Sequence, residues 1–180
     1  MKYKEEIIKS ETIYKGRIFD VIVDDVKLPD GKIAKREIVD HWGAVTIIAV
    51  TNDNKVILVK QYRHPVKKEL YELPAGKLDL NLDPLSTAKQ ELREETGYEA
   101  KVLKDVIQCY TTPGFSNERM HFFVAKDLTK TKQNLDHDEF IDVLEVDSRS
   151  VIEMIKEGKI EDVKSLLGIY YLLINNIIVF

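Results

Sequence analysis

The chain carries a single cysteine, Cys109, among its 180 residues. That excludes an internal disulfide and a cysteine-based zinc cluster. Cys109 lies in the run VIQCY and is expected to be a buried strand residue rather than a nucleophile. Neither sign of charge is in large excess. A net charge of −4 argues against a nonspecific nucleic-acid binder. The first residues, MKYKEEIIKSE, are charged and hold no apolar leader segment. The most apolar run, LLGIYYLLINNIIVF, is interrupted by Asn175 and Asn176 and falls short of the ~20 residues that span a bilayer. It reads as a buried terminal helix or a dimer surface. Internal repeats, low-complexity tracts and long linkers are also missing. A cytoplasmic, reducing compartment with no membrane or nucleic-acid partner fits these absences.

What is present is an ordinary globular composition, 44% apolar and 32% charged, long enough for one domain with a sizeable core or a domain plus a small appendage. FDVIVDDVKLPDGKIAKREIVDH reads as two strands around the turn PDG. GAVTIIAV is a continuous apolar run, as in a buried strand, and VILVKQYR beyond the turn TNDNK reads as its hairpin partner. KVLKDVIQCY, MHFFVAKDL and IDVLEVD are further strands, and TKTKQNLDHDEF is a polar, acidic loop. SRSVIEMIKEGK and EDVKSLLGIYYLLI read as helices joined near Gly158. The first 40 or so residues precede the main buried strand and are able to form a separate small sheet.

The densest chemistry lies in LPAGKLDLNLDPLSTAKQELREETGY, from Leu73 to Tyr98. Asp83 suits a helix N-cap, Pro84 the first helical position and Gly97 the C-terminal cap. Leu85, Ala88 and Leu92 are spaced for one buried stripe. Glu91, Glu94 and Glu95 stand at i, i+3 and i+4, so their side chains converge. One explanation is a solvated acidic face. Against it, the three glutamates sit at the helix C-terminus, where the dipole disfavours anions. A divalent cation removes the repulsion, since clustered carboxylate oxygens are what Mg2+ or Mn2+ takes as ligands, along with water and substrate phosphate. Gly76 lets backbone approach a ligand closely, and the Ala75 carbonyl is a candidate additional ligand. Together these suggest metal-assisted attack of water on phosphorus.

This segment resembles the Nudix box: Gly, five residues, Glu, seven residues, then Arg-Glu-apolar-x-Glu-Glu-x-Gly-apolar. Gly76, Glu91, Leu92, Glu94, Glu95, Gly97 and Tyr98 match in register. Leu82 stands where the family has Glu, and Gln90 where it has Arg, so an ion pair is lost as a unit and no lone charge is left behind. In its place, packing around Leu82 and an amide contact from Gln90 are expected to brace the helix. The stretches VKQYRHPV, YELPAGKL, TTPGFSNERMHFFVAKDL and DHDEFIDV extend the likeness to the ADP-ribose pyrophosphatase branch, as does Pro113, sixteen residues after Gly97.

The resemblance implies an α/β (α+β) Nudix fold, a mixed sheet sandwiched between helices. It implies a small antiparallel β domain over residues 1–42 that contributes to a homodimer, and a catalytic domain over 43–180. The implied reaction is hydrolysis of ADP-ribose to AMP and ribose 5-phosphate with Mg2+, or Mn2+ in its place. By matching position Glu91, Glu95 and the Ala75 carbonyl would be metal ligands. Glu94 would be a further ligand, or would orient one through water, and is counted with Glu139 among the catalytic groups. Glu139 of the acidic loop would be the general base, with Asp138 and His137 as alternatives because relatives often carry an acid at the position of His137. Arg63 would contact the diphosphate or terminal ribose, and Glu118 the terminal ribose or metal shell. Arg36 and Glu37 would reach the adenosine side of a partner chain. The rival readings are hydrolysis of another nucleoside diphosphate sugar, and a weakly catalytic protein that binds ADP-ribose as a sensor.

Overall fold

The computed structural model describes residues 2–78 and 82–178, and the chain divides into two compact units. The first comprises Met1–Gly43 and Cys109–Met120, the second Ala44–Gln108 and His121–Phe180.

In the first unit β1 (Glu6–Lys15), β2 (Phe19–Lys27) and β3 (Ile33–His41) form an antiparallel sheet in that order. The PDG turn joins β2 to β3 as the sequence suggests, closed by Gly31 N–H donating to the Leu28 carbonyl at 2.9 Å. Strand β1 has no apolar alternation to announce it. Every one of its residues is exposed, including Ile7, Ile8, Ile13 and Tyr14, and pairing with β2 alone makes it a strand. The returning segment docks on β3: Val39 N–H donates to the Phe115 carbonyl at 2.8 Å, and His41 N–H donates to the Asn117 side chain at 2.7 Å.

The second unit is α+β. One sheet orders β7 (Ala75–Lys77), β4 (Ala44–Ala49), β9 (Arg119–Lys130) and β8 (Tyr98–Tyr110); the other orders β10 (Ile141–Asp147), β5 (Lys55–Arg63) and β6 (Lys68–Glu72). Strand β4 is buried along its length and covered on both faces. Val45, Ile47 and Ala49 join the core cluster with Ala88 and Leu92 of α1 (Pro84–Thr96), while Ile48 and Leu73 pack against Gly168 of α3 (Val163–Ile174). A third helix, α2 (Ser148–Lys156), packs on β10 and β5.

Two expectations need correction. The turn at 51–54 does join β4 to β5, but among the described residues their pairing is limited to the isolated bridge Val50–Val56 at the end of β4, and the two strands lie in different sheets. The stretches GAVTIIAV and VILV are apolar without alternation, so nothing in their pattern fixes which edges pair. The buried stripe of α1 runs through Thr87, Ala88, Leu92, Glu95 and Thr96, and Leu85 in the first turn is exposed. The capping was legible: Asp83 accepts from Leu85 and Ser86 N–H, and Gly97 ends the helix at φ 67°. Among the described residues no helix is long and apolar enough to cross a membrane.

Helix α3 is fixed to the second sheet by an ion network. Glu72 is 1% exposed and accepts from Arg63 Nε at 2.7 Å and Nη2 at 2.8 Å, and from the Lys164 ammonium. Burial alone would raise the Glu72 carboxyl, but the Arg63 and Lys164 charges outweigh it and hold the group below its ordinary range. Its stabilising contribution is therefore present above the unfolded carboxyl range and is lost as pH falls through the depressed folded value. Glu72→Gln leaves Lys164 buried without this carboxylate. It is expected to lower the unfolding free energy by about 3 kcal/mol in urea titrations; an unchanged midpoint would remove the network from the account of stability.

Candidate active site

The site is assembled where the C-terminal half of α1 meets the loop Leu73–Gly76. That loop is pinned along its length. Leu73 N–H donates to the Ser165 hydroxyl of α3 at 2.7 Å, the Pro74 carbonyl accepts from Ile47 N–H at 2.8 Å, and Ala75 and Gly76 pair with Thr46 and Val45 of β4. Ala75 N–H then donates to Glu95 Oε2 at 3.0 Å. Glycine at 76 is required by contact rather than by backbone angle. A Cβ there would lie 1.9 Å from Oε1 of Glu91, so the glutamate side chain occupies the space a larger residue would need.

Burial and mutual repulsion shape the electrostatics. Glu95 is 3% exposed, and its carboxyl is pushed up to about 8, chiefly by burial. Glu91 and Glu139 push it the same way, while the Ala75 N–H and Arg63 oppose the rise. Glu91 is raised to about 7, again by burial first, then by Glu139, Glu94 and Asp136, with Lys77 opposing. Without a cation these carboxyls retain protons near neutrality that an unfolded chain would release.

The acidic loop is brought to this cluster by bonds to the end of α1. Thr131 N–H donates to the Gly97 carbonyl at 2.6 Å, Asn134 N–H to the Glu94 carbonyl at 3.0 Å, and the Gln133 amide to the Glu95 carbonyl at 2.6 Å. These satisfy helix-end carbonyls that have no partner within the helix. Gly97 is needed twice over, for its left-handed φ and because a Cβ would sit 2.9 Å from Gln133 N. Beyond this anchor Asp136 and Glu139 close a turn, with Glu139 N–H donating to the Asp136 carbonyl at 3.1 Å. Glu139 is half-buried and acts electrostatically on both Glu91 and Glu95. The side chains of His137 and Asp138, by contrast, are 94% and 76% exposed and face each other at 3.7 Å. Sequence alone does not single out Gln133 and Asn134. The only signal was a polar loop of the right composition, and their role depends on the carbonyl end of α1 lying beside them.

The second unit thus brings together Ala75, Glu91, Glu94, Glu95 and Glu139, with Arg63 close enough to bias Glu95. Arg36, Glu37 and Glu118 belong to the first unit. There Arg36 pairs with Glu5 through Nε at 2.9 Å, and Glu37 is exposed on β3 opposite Val23. Glu118 accepts from the Thr111 hydroxyl at 2.6 Å, with His41 Nδ1 at 3.8 Å. Cys109 is half-buried in β8, less covered than expected, and burial pushes its thiol up, away from nucleophilic use. The expected brace at Leu82 is not there: this side chain is 39% exposed. Gln90 does make an amide contact, donating to Glu94 Oε2 at 3.1 Å on the helix surface. Loss of the Glu and Arg is thus met by steadying Glu94 within α1, not by packing across to the loop.

Among the described residues no three His, Cys, Asp or Glu side chains form a preformed metal cage. The donor set nonetheless fits a hard divalent cation that completes its shell with water and substrate oxygens: Glu95 buried and Glu91 half-buried, both raised chiefly by burial and further by neighbouring acids, beside a pinned backbone loop.

Family comparisons agree with this geometry. A NUDIX domain model matches residues 40–165, and a nucleoside diphosphate sugar hydrolase N-terminal domain model matches residues 5–39. The chain belongs to the Nudix family. It is 47% identical to a methanol dehydrogenase activator of Bacillus methanolicus, over 94% of this chain and 93% of that one. It is 44% identical to an ADP-ribose pyrophosphatase of Bacillus subtilis, over 94% and 92%. A solved structure titled as an ADP compounds hydrolase shares the fold, with a TM-score of 0.82, 20% identity and coverage of 93% and 91%.

Because Gly76 makes room for Glu91, Gly76→Ala is expected to displace that carboxylate. Mn2+ affinity should fall at least about tenfold in direct titration, with the fold retained by circular dichroism. Unchanged affinity would mean that the Gly76–Glu91 contact does not shape the site.

Proposed function

We propose that this chain is a divalent-metal-dependent diphosphatase that hydrolyses ADP-ribose to AMP and ribose 5-phosphate, with Mg2+ as its ion and Mn2+ as a substitute. The observation that carries the reading is the carboxylate pair, half-buried Glu91 and buried Glu95, fixed against the Ala75–Gly76 backbone. Relatives named ADP-ribose pyrophosphatase, at 44% and 40% identity, support the substrate.

Glu91, Glu95 and the Ala75 carbonyl would hold the ion, and Glu94 would add a ligand or orient one through water. The ion supplies charge neutralisation of the diphosphate and a more acidic water. Glu139 accepts the proton of the attacking water as its oxygen bonds to phosphorus and the bridging P–O bond breaks. Its half-buried position and its influence on Glu91 and Glu95 favour it over His137 and Asp138, which lie in solvent. Arg63 receives diphosphate oxygens through the guanidinium edge not committed to Glu72. Glu118 holds the terminal ribose, and Arg36 and Glu37 serve the adenosine side of a second copy. Residues 1–42 form the domain that pairs two chains, and 43–180 the catalytic domain. The exposed apolar residues of β1 favour a homodimer. A cytoplasmic setting goes with the single cysteine and the nucleotide substrate.

A second reading, hydrolysis of another nucleoside diphosphate sugar, draws on GDP-mannose pyrophosphatases of Escherichia coli at 34% identity. A binding-only sensor is the third reading. Incubation with Mg2+ and either ADP-ribose or GDP-mannose, followed by product analysis, separates them. AMP from ADP-ribose is expected, with Glu95→Gln at least about 100-fold slower, the upper end of what changes around metal ligands cost. Faster turnover of GDP-mannose would favour the second reading. Tight ADP-ribose binding without turnover of either compound would favour the sensor.

A further inference from the structure

Lys164 lies on α3, in the first turn, and has been given a structural role but none toward the substrate. Its ammonium is nearly enclosed, paired with Glu72 and, at 2.7 Å, with Asp162 Oδ2. Glu72 in turn holds Arg63 through Nε and Nη2, leaving Nη1 outside the pairing. Two acids and two cations make a closed set with no net charge. Arg63 is its outer member, more exposed than Lys164 or Glu72, and its charge is felt at Glu95.

Resting on the reading of Arg63 as a diphosphate contact, we propose that Lys164 and Asp162 are positioning residues that set how much positive charge Arg63 presents to a substrate diphosphate. The reasoning is electrostatic. Glu72 shared between two cations neutralises Arg63 only in part. Without Lys164, both acids remain against one cation, and the set carries a net negative charge where an anion must enter. Without the charge of Asp162, Lys164 turns wholly to Glu72, and the set carries a net positive charge. The two removals should therefore act on diphosphate affinity with opposite signs. Asp162 also caps α3, its Oδ2 accepting from Ser165 N–H at 3.1 Å and the Ser165 hydroxyl at 2.6 Å. Asn performs the same capping, so Asp162→Asn removes charge while keeping the cap.

The test compares Lys164→Met, Lys164→Arg and Asp162→Asn with the wild-type chain. Steady-state kinetics on ADP-ribose with Mg2+ are read together with the binding of inorganic pyrophosphate by calorimetry. Lys164→Met is expected to raise KM and weaken pyrophosphate about tenfold, the scale of one unit charge acting through protein over several Å, with kcat little changed. Lys164→Arg should restore most of the loss, and Asp162→Asn should tighten both by about threefold, being farther from Arg63 and better screened. A Lys164 that only docks α3 would give less stable variants with unchanged KM, and that result overturns the proposal. So does weakening by both removals. If Lys164→Met does not fold, Asp162→Asn decides: tightening supports the proposal, and no change or weakening ends it. Should the wild-type chain turn over no nucleoside diphosphate sugar, the functional reading fails by itself, and the same signs in pyrophosphate affinity still decide the role of Lys164. A wild-type chain that binds no pyrophosphate would overturn it.

Discussion

The constraint on which the rest depends is the burial of Glu95 against the Ala75 N–H. Placing a carboxylate there, with Glu91 pressed on Gly76 one turn earlier, makes α1 unfavourable for a cation-free protein and receptive to a divalent ion. Everything near it serves to hold that arrangement. The Asp83 cap fixes where the helix begins, Ala88 and Leu92 bury one face against β4, and the pairing of Ala75 with Thr46 fixes the loop on the other side. One backbone N–H offers only part of what an ionised carboxylate loses on leaving water, so Glu95 is drawn toward its protonated form.

The C-terminal end of α1 does a second task. Its unpaired carbonyls are a natural acceptor set, and the segment at 131–134 supplies donors to them. The groups that close the helix therefore also tether the acidic loop and carry Glu139 toward the carboxylates. On the opposite side α3 contributes through Ser165, which holds Leu73, and through Lys164, which shares Glu72 with Arg63. β4, α1 and α3 each bond the loop Leu73–Gly76, so small displacements of any of them reach the site.

How much of this the sequence reveals depends on whether the determining interaction is local. The cap at Asp83, the stop at Gly97 and the convergence of Glu91, Glu94 and Glu95 follow from helix geometry and were legible, as was the likeness to the family. The pairing of β5 with β6 and β10 instead of β4 was not, because the unalternating runs AVTIIA of β4 and VILV of β5 carry no mark of their neighbours. Leu85 is exposed against the apolar pattern for a related reason: the buried face of α1 turns toward Thr87 and Glu95, and a polar residue on a buried face is invisible to a hydrophobic pattern. Leu82 is expected to pack, but it is exposed, as is its neighbour Leu85 on the first turn of α1. Gln133 and Asn134 act only because the chain returns to α1, a tertiary fact with no local signature.

The pH dependence of stability tests the central constraint most directly. Glu91 and Glu95, raised to about 7 and about 8, keep protons in the folded state that the unfolded chain has already lost, so stability should fall as pH rises between the ordinary carboxyl range and those values. Thermal midpoints are measured in chelator and in Mg2+ for the wild-type chain and for Glu91→Gln with Glu95→Gln. In chelator the wild-type midpoint is expected to decline from about pH 5.5 to 8.5 relative to the double variant. Mg2+ should recover it most at the alkaline end, and only in the wild-type chain. Parallel profiles for the two proteins, with no response to Mg2+, would contradict the account.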